Sequence, residues 1–155
     1  MRDYKCRGRR KDNGEWVYGY YFTTPLTDEG SGAPPEAGWF FLTGETRHCI
    51  AQDGAVFVVD PSTVGQFTGL RDKNGAEVYE GDIVRGIAIR REGGFEYLGK
   101  VVWYGLNTVV GWHVENAKGC GWELRQLQTR ISLDHITGEV IGNVFEHPNL
   151  LKEVS

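Results

Sequence analysis

Glycine falls so often along this chain that almost no window long enough for three helical turns escapes it. Each Gly inside a helix costs about 1 kcal/mol relative to Ala, so a helical fold is the first to be excluded. The 22 Gly follow no Gly-X-Y period, which excludes a collagen-like chain as well. Many sit in turn pairs instead. Asn13-Gly14, Asp53-Gly54, Asn74-Gly75 and Gly138 each precede a run rich in Val, Ile and aromatic residues, at 16–22, 55–59, 77–79 and 139–145. Asn-Gly and Asp-Gly take the positive φ angles of a type I′ hairpin turn. Similar runs follow at 83–90, 97–104 and 109–115, and their residues suit a pleated, half-buried surface. Two segments could carry helix. Residues 122–127 read as a helical turn or a strand, and 147–153 as a terminal helical turn with Pro148 at its first position, where a missing N–H costs nothing.

The expected fold is therefore mainly β: an antiparallel, hairpin-rich fold with a small bent β-barrel and a short C-terminal helical turn. With 155 residues, 25% of them charged and 40% hydrophobic, the chain fits one globular domain, 1–155. Within it, 1–63 form a hairpin part and 64–155 the barrel part. Residues 23–38 hold Pro25, Pro34, Pro35 and Gly30-Ser31-Gly32 and read as a loop insertion between strands. The longest apolar stretch, 55–59, is far short of the roughly 18 residues of a membrane helix. Cys6, Cys49 and Cys120 are odd in number and widely spaced, and no apolar segment follows Met1. A cytoplasmic protein with free thiols and no signal peptide is expected.

Charge is unevenly spread. Residues 1–11 hold six Lys and Arg against Asp3, so the rest carries a net charge of −9 within a total of −4. Lys5, Arg7 and Arg9 share one strand parity, and Tyr4, Cys6 and Gly8 the other, so the basic residues read as the wet face of an N-terminal strand. The alternative is an anion or nucleic-acid contact through Lys5, Arg7, Arg9 and Arg10.

Three segments together resemble the YopX family of phage- and prophage-encoded proteins. The first runs from Tyr4-Lys5-Cys6-Arg7-Gly8-Arg9-Arg10 through Asn13-Gly14-Glu15-Trp16-Val17-Tyr18-Gly19. The second, the most specific, is Val59-Asp60-Pro61-Ser62-Thr63-Val64-Gly65-Gln66-Phe67-Thr68-Gly69-Leu70, continuing through Asp72-Lys73-Asn74-Gly75 and Val78-Tyr79-Glu80-Gly81-Asp82-Ile83-Val84. The third is Glu139-Val140-Ile141-Gly142-Asn143-Val144-Phe145-Glu146-His147-Pro148-Asn149-Leu150-Leu151. The resemblance implies a mostly β, phage- or prophage-encoded protein acting in the bacterial cytoplasm. It brings no catalytic residues with it.

The residues themselves offer little chemistry. Gly65, Gln66, Thr68, Gly69, Gly75, Tyr79, Glu80, Gly81 and Asp82 read as structural, with Gly81 allowing an unusual turn and Asp82 bonding local N–H groups. Glu80 with Asp82 as an acid/base or metal pair, or a metal site from His48, Cys49, His113 and Cys120, would make a weaker, enzymatic alternative. The His and Cys spacings match no zinc pattern, and no cofactor motif is present. Trp103, Tyr104, Trp112 and Trp122 lie near Arg90, Arg91 and Lys100 and read either as core or as a base-stacking platform. The expectation is a non-catalytic accessory protein that binds a protein partner or copies of itself. A nucleic-acid-binding module is the runner-up, and no membrane role is expected.

Overall fold

The computed structural model of the chain describes residues 4–27, 42–90, 93–106, 109–119, 121–127 and 136–152. Among them there are strands and short 3-10 turns but no α-helix, and none long and apolar enough to cross a membrane. The chain divides between Val64 and Gly65 into two compact units.

In the first unit, β1 (Lys5–Arg9), β2 (Trp16–Thr27), β3 (Leu42–Gln52) and β4 (Ala55–Val58) form an antiparallel sheet in the order β4-β3-β2-β1. The two reversals differ. Asp53 (φ 50°) and Gly54 (φ 81°) both have positive φ, the type I′ pattern. At Asn13-Gly14 only Gly14 is positive, at 75°. There Arg10 N–H donates to Glu15 O at 2.9 Å, so the reversal spans 11–14 and Asn13 serves through its side chain, accepting from Glu15 N–H at 3.0 Å. β2 also runs further than expected, through 23–27, which read as the start of a loop. Pairing with β3 carries it past Pro25 to Thr27, with a register shift between them. A bulge is where a strand tolerates a residue lacking an N–H. The remainder of the expected loop, 28–38, lies outside the described residues.

The ends of β1 and β4 meet in a single bridge between Arg10 and Val59. Asp60 N–H donates to Arg9 O at 2.8 Å and Lys11 N–H to Val58 O at 3.0 Å. A 3-10 turn at Pro61–Thr63 follows, capped by the Asp60 carboxylate on Ser62 N–H at 2.9 Å. The inner face gathers Val17, Ile50 and Val59, with Cys6, Phe57 and Val64 packed against them.

The second unit begins with the antiparallel pair β5 (Gly65–Arg71) and β6 (Glu77–Tyr79). It continues as β7 (Asp82–Arg90), β8 (Gly93–Leu106), β9 (Val109–Glu115), β10 (Gly121–Glu123) and β11 (Glu139–Asn143), an antiparallel sheet in the order β10-β9-β8-β7-β11. The expected barrel is not found. β10 pairs with β9 and β11 with β7, and no ladder among the described residues joins β10 to β11, so the sheet stays open. Its core face collects Val84, Ala88, Tyr97, Val101 and Val114, covered by Leu70, Val78, Leu124, Leu127 and Ile136. Segment 122–127 is strand and then a 3-10 turn, Leu124–Leu127. With three residues per turn, Leu124 and Leu127 fall on one side, and both are buried. The C-terminal turn is likewise 3-10, Pro148–Leu151, with Pro148 in its first turn.

Candidate functional site

The basic strand does not present the wet face its alternation suggests. Register sets Lys5, Arg7 and Arg9 opposite Tyr20, Tyr18 and Trp16, so cations and aromatics share one face. Arg7 is only 6% exposed, its guanidinium carbon 4.9 Å from the centre of the Trp16 ring. The ring face attracts the cation, and the guanidinium is weakly hydrated, so an Arg is drawn down where a Lys would stay in water. Arg9 Nε donates to Gly14 O at 3.0 Å. Arg10, on the inner face, lies 4.5 Å over the Phe57 ring and pairs with Asp12 and Glu15. Its guanidinium holds the Asp12 carboxyl below the ordinary carboxylate range.

That face also leaves apolar side chains uncovered, with Arg47, opposite Thr24, exposed at their side. Tyr20 pairs with Ala51 and Ala51 with Val56, one row across three strands; Phe22, Cys49 and Val58 form the next. Tyr20 and Val56 are each 60% exposed, and Tyr18 and Val58 are exposed beside them. Neighbouring strands lie about 4.8 Å apart, so these side chains form one aromatic and aliphatic patch, in which Cys49 itself is buried.

The motif around 65–82 builds backbone. Glu80 N–H donates to Gln66 O at 2.9 Å, and a Cβ on Gly65 would sit 2.5 Å from Glu80 O. Thr68 Oγ1 donates to Val78 O at 2.8 Å and accepts from Leu70 N–H at 3.2 Å, spanning the irregularity at Gly69 (φ 82°). Gly75 (φ 87°) completes the turn to β6. Tyr79 is buried, and its hydroxyl donates to Glu77 Oε2 at 2.6 Å. Gly81 (φ 82°) reverses the chain, and Asp82, 1% exposed, accepts from Tyr79 N–H at 2.7 Å. Asp82 is thus a turn cap rather than the partner of Glu80 in an acid/base pair.

Sequence reasoning assigned no role to Asp72. Its buried carboxylate accepts from Asn74 N–H (2.8 Å) and Ala76 N–H (2.9 Å) through Oδ1, and from Val140 N–H (3.1 Å) through Oδ2. The Asp-x-Asn-Gly spacing was the available signal for the first bond; nothing local announces Val140.

The remaining candidates disperse. His48 and Cys49 are neighbours in β3 and point to opposite faces, His113 belongs to the second unit, and Cys120 lies outside the described residues. Among the described residues no group of three or more His, Cys, Asp or Glu is placed to hold a metal. Trp112 and Trp122 pack against the core, whereas Trp103 and Tyr104 are exposed on opposite faces of β8. The side chains of Arg90 and Arg91 lie outside the described residues, and Lys100 pairs with Glu115 at 3.0 Å.

Fold and surface together define a small, mainly β protein of two antiparallel units, the first of which exposes an aromatic and aliphatic patch. The chain matches the family described as YopX protein over residues 6–152, and it belongs to that family. No curated protein matches it. Among solved structures it is similar to protein EF1440 from Enterococcus faecalis, with 23% identity over 95% of this chain and 96% of that one, at a TM-score of 0.42.

Proposed function

We propose that this is a phage- or prophage-encoded accessory protein of the host cytoplasm that works without catalysis, by binding a protein partner through the outer face of the first unit. The observation that carries this is the exposed patch of Tyr18, Tyr20, Val56 and Val58. Uncovered apolar patches mark interaction surfaces, and Tyr anchors them at low entropic cost. The internal bonds of Arg7, Arg9 and Arg10 favour a protein over a nucleic acid, because phosphate binding needs cations free to meet it.

The test compares the wild type with a Tyr20→Glu, Val56→Glu variant that keeps the wild-type circular dichroism. Capture from induced cells should retain a protein that the variant loses. Light scattering on both shows whether that protein is a second copy of this chain. Retention of single-stranded DNA or RNA at low salt, abolished by the same variant, would reassign the face to nucleic acid. Equal capture by both proteins would remove the proposed face.

A further inference from the structure

On the solvent face of the second unit, β8, β9 and β10 enclose a depression of about 220 Å³ lined by Val102, Tyr104, His113, Glu115, Gly119 and Gly121. Its chemistry is set by three side chains held in fixed roles. His113 Nδ1 lies 3.0 Å from Gly111 O. A carbonyl oxygen can only accept, so Nδ1 carries the hydrogen and Nε2 of the neutral ring is an acceptor. Glu115 spends Oε2 on Lys100, at 3.0 Å, while Oε1 lies 3.8 Å from where a Cβ on Gly119 would stand, on the depression side. The Tyr104 ring is 5.4 Å from that of His113, centre to centre, and half out in solvent. Gly119 and Gly121 put no side chain in the mouth.

We propose that this depression binds a guanidinium group, the side-chain head of arginine. An anion would meet a carboxylate and a nitrogen lone pair. A metal ion would find only one nitrogen and one carboxylate ligand. A guanidinium instead supplies N–H donors in a planar fork, which suit the acceptors His113 and Glu115 offer, and its flat cationic face stacks on an aromatic ring. The unit that holds the depression is itself slightly acidic, since residues 65–155 carry a net charge of −2. The site stands independently of the patch on the first unit.

Nuclear magnetic resonance on the full ¹⁵N-labelled chain tests this, with free arginine, a blocked Gly-Arg-Gly peptide and a blocked Gly-Lys-Gly peptide as probes. The amides of Val102, Tyr104, His113, Glu115, Gly119 and Gly121 should shift with both arginine probes, saturating in the millimolar range expected for one small group. A tighter fit for the peptide identifies a polypeptide as the source, and equal fits identify the free group. Glu115→Gln should weaken binding about tenfold through loss of the charge-assisted bond. Tyr104→Ala, at an exposed position, should weaken it several-fold. Glu96→Gln, on the same strand face but away from the depression, should bind like the wild type. No shift at these amides, a Lys peptide as effective as the Arg peptide, or unchanged affinity in folded Glu115→Gln would overturn the proposal.

Discussion

Replacing Asp72 is the sharpest test of how the second unit is held together. Its carboxylate joins two places far apart in sequence: the 72–76 turn, through Asn74 and Ala76 N–H, and β11, through Val140 N–H. Asp72→Ala leaves three donors without that acceptor. The two turn amides can rehydrate, each losing the net value of a hydrogen bond, about 1 kcal/mol. Val140 packs against the core, so its amide has poorer access to water and costs up to about 3 kcal/mol when orphaned. The sum is roughly 3–5 kcal/mol, a large share of the 5–15 kcal/mol typical of a whole domain. In a chain of this size it lowers the melting temperature by on the order of 10 °C. Asp72→Asn separates the two halves. Its remaining oxygen can still serve the turn, but its NH₂ then confronts Val140 N–H, so the loss is roughly 1.5–3 kcal/mol and falls mainly on β11. Calorimetry gives the two stabilities, and hydrogen exchange at Val140 reports the local effect. An alanine variant within about 0.5 kcal/mol of wild type would refute the reasoning, since that is the size of an ordinary surface change. So would an asparagine variant with Val140 as protected as in the wild type.

Other sites make equally definite expectations. A Cβ on Gly138 would stand 2.4 Å from the Tyr97 hydroxyl and 2.6 Å from Arg85 O, so Gly138→Ala should cost about 1–3 kcal/mol in chemical denaturation. Tyr97→Phe in the same chain should recover part of that cost, and a double-mutant cycle with no coupling would contradict the geometry. Gly81→Ala forces a side chain to φ 82° against the Phe145 ring and should cost about 1–2 kcal/mol, with Asp82 still in place. Glu139 accepts from Lys73 at 2.9 Å and Arg85 at 3.4 Å, and these bonds hold its carboxyl below its ordinary value of 4.5. A depressed carboxyl contributes stability above its unfolded value and loses it as pH falls through the folded one. Wild type and Glu139→Gln should therefore differ at neutral pH and converge in acid, and a gap that persists there would rule out the ion pairs as its cause.

The strands were legible where a local rule wrote them, and only there. Residues 109–115 alternate cleanly and form β9 over the same span. β3 was missed because its residues, Leu42 to Gln52, are mostly polar; it is a strand because β2 and β4 pair on either side of it. The barrel failed for a related reason. Gly and bulge positions announce that strands bend, but closure needs an edge to find an edge. On the side of β11 away from β7 the Val140 amide is taken by Asp72 instead, an acceptor 68 residues away that no periodicity records. The basic strand shows the same limit in electrostatics. Alternation placed Lys5, Arg7 and Arg9 on one face correctly, because parity is local. Whether that face is wet depends on what stands opposite, and the register supplied Trp16, Tyr18 and Tyr20. The indole face offsets part of the hydration the Arg7 guanidinium gives up, and with the charge held there the tyrosines are left at the surface. The candidate face is thus the residue of a pairing decision: the sequence pattern marked it by its cations, and the fold presents it by its aromatics.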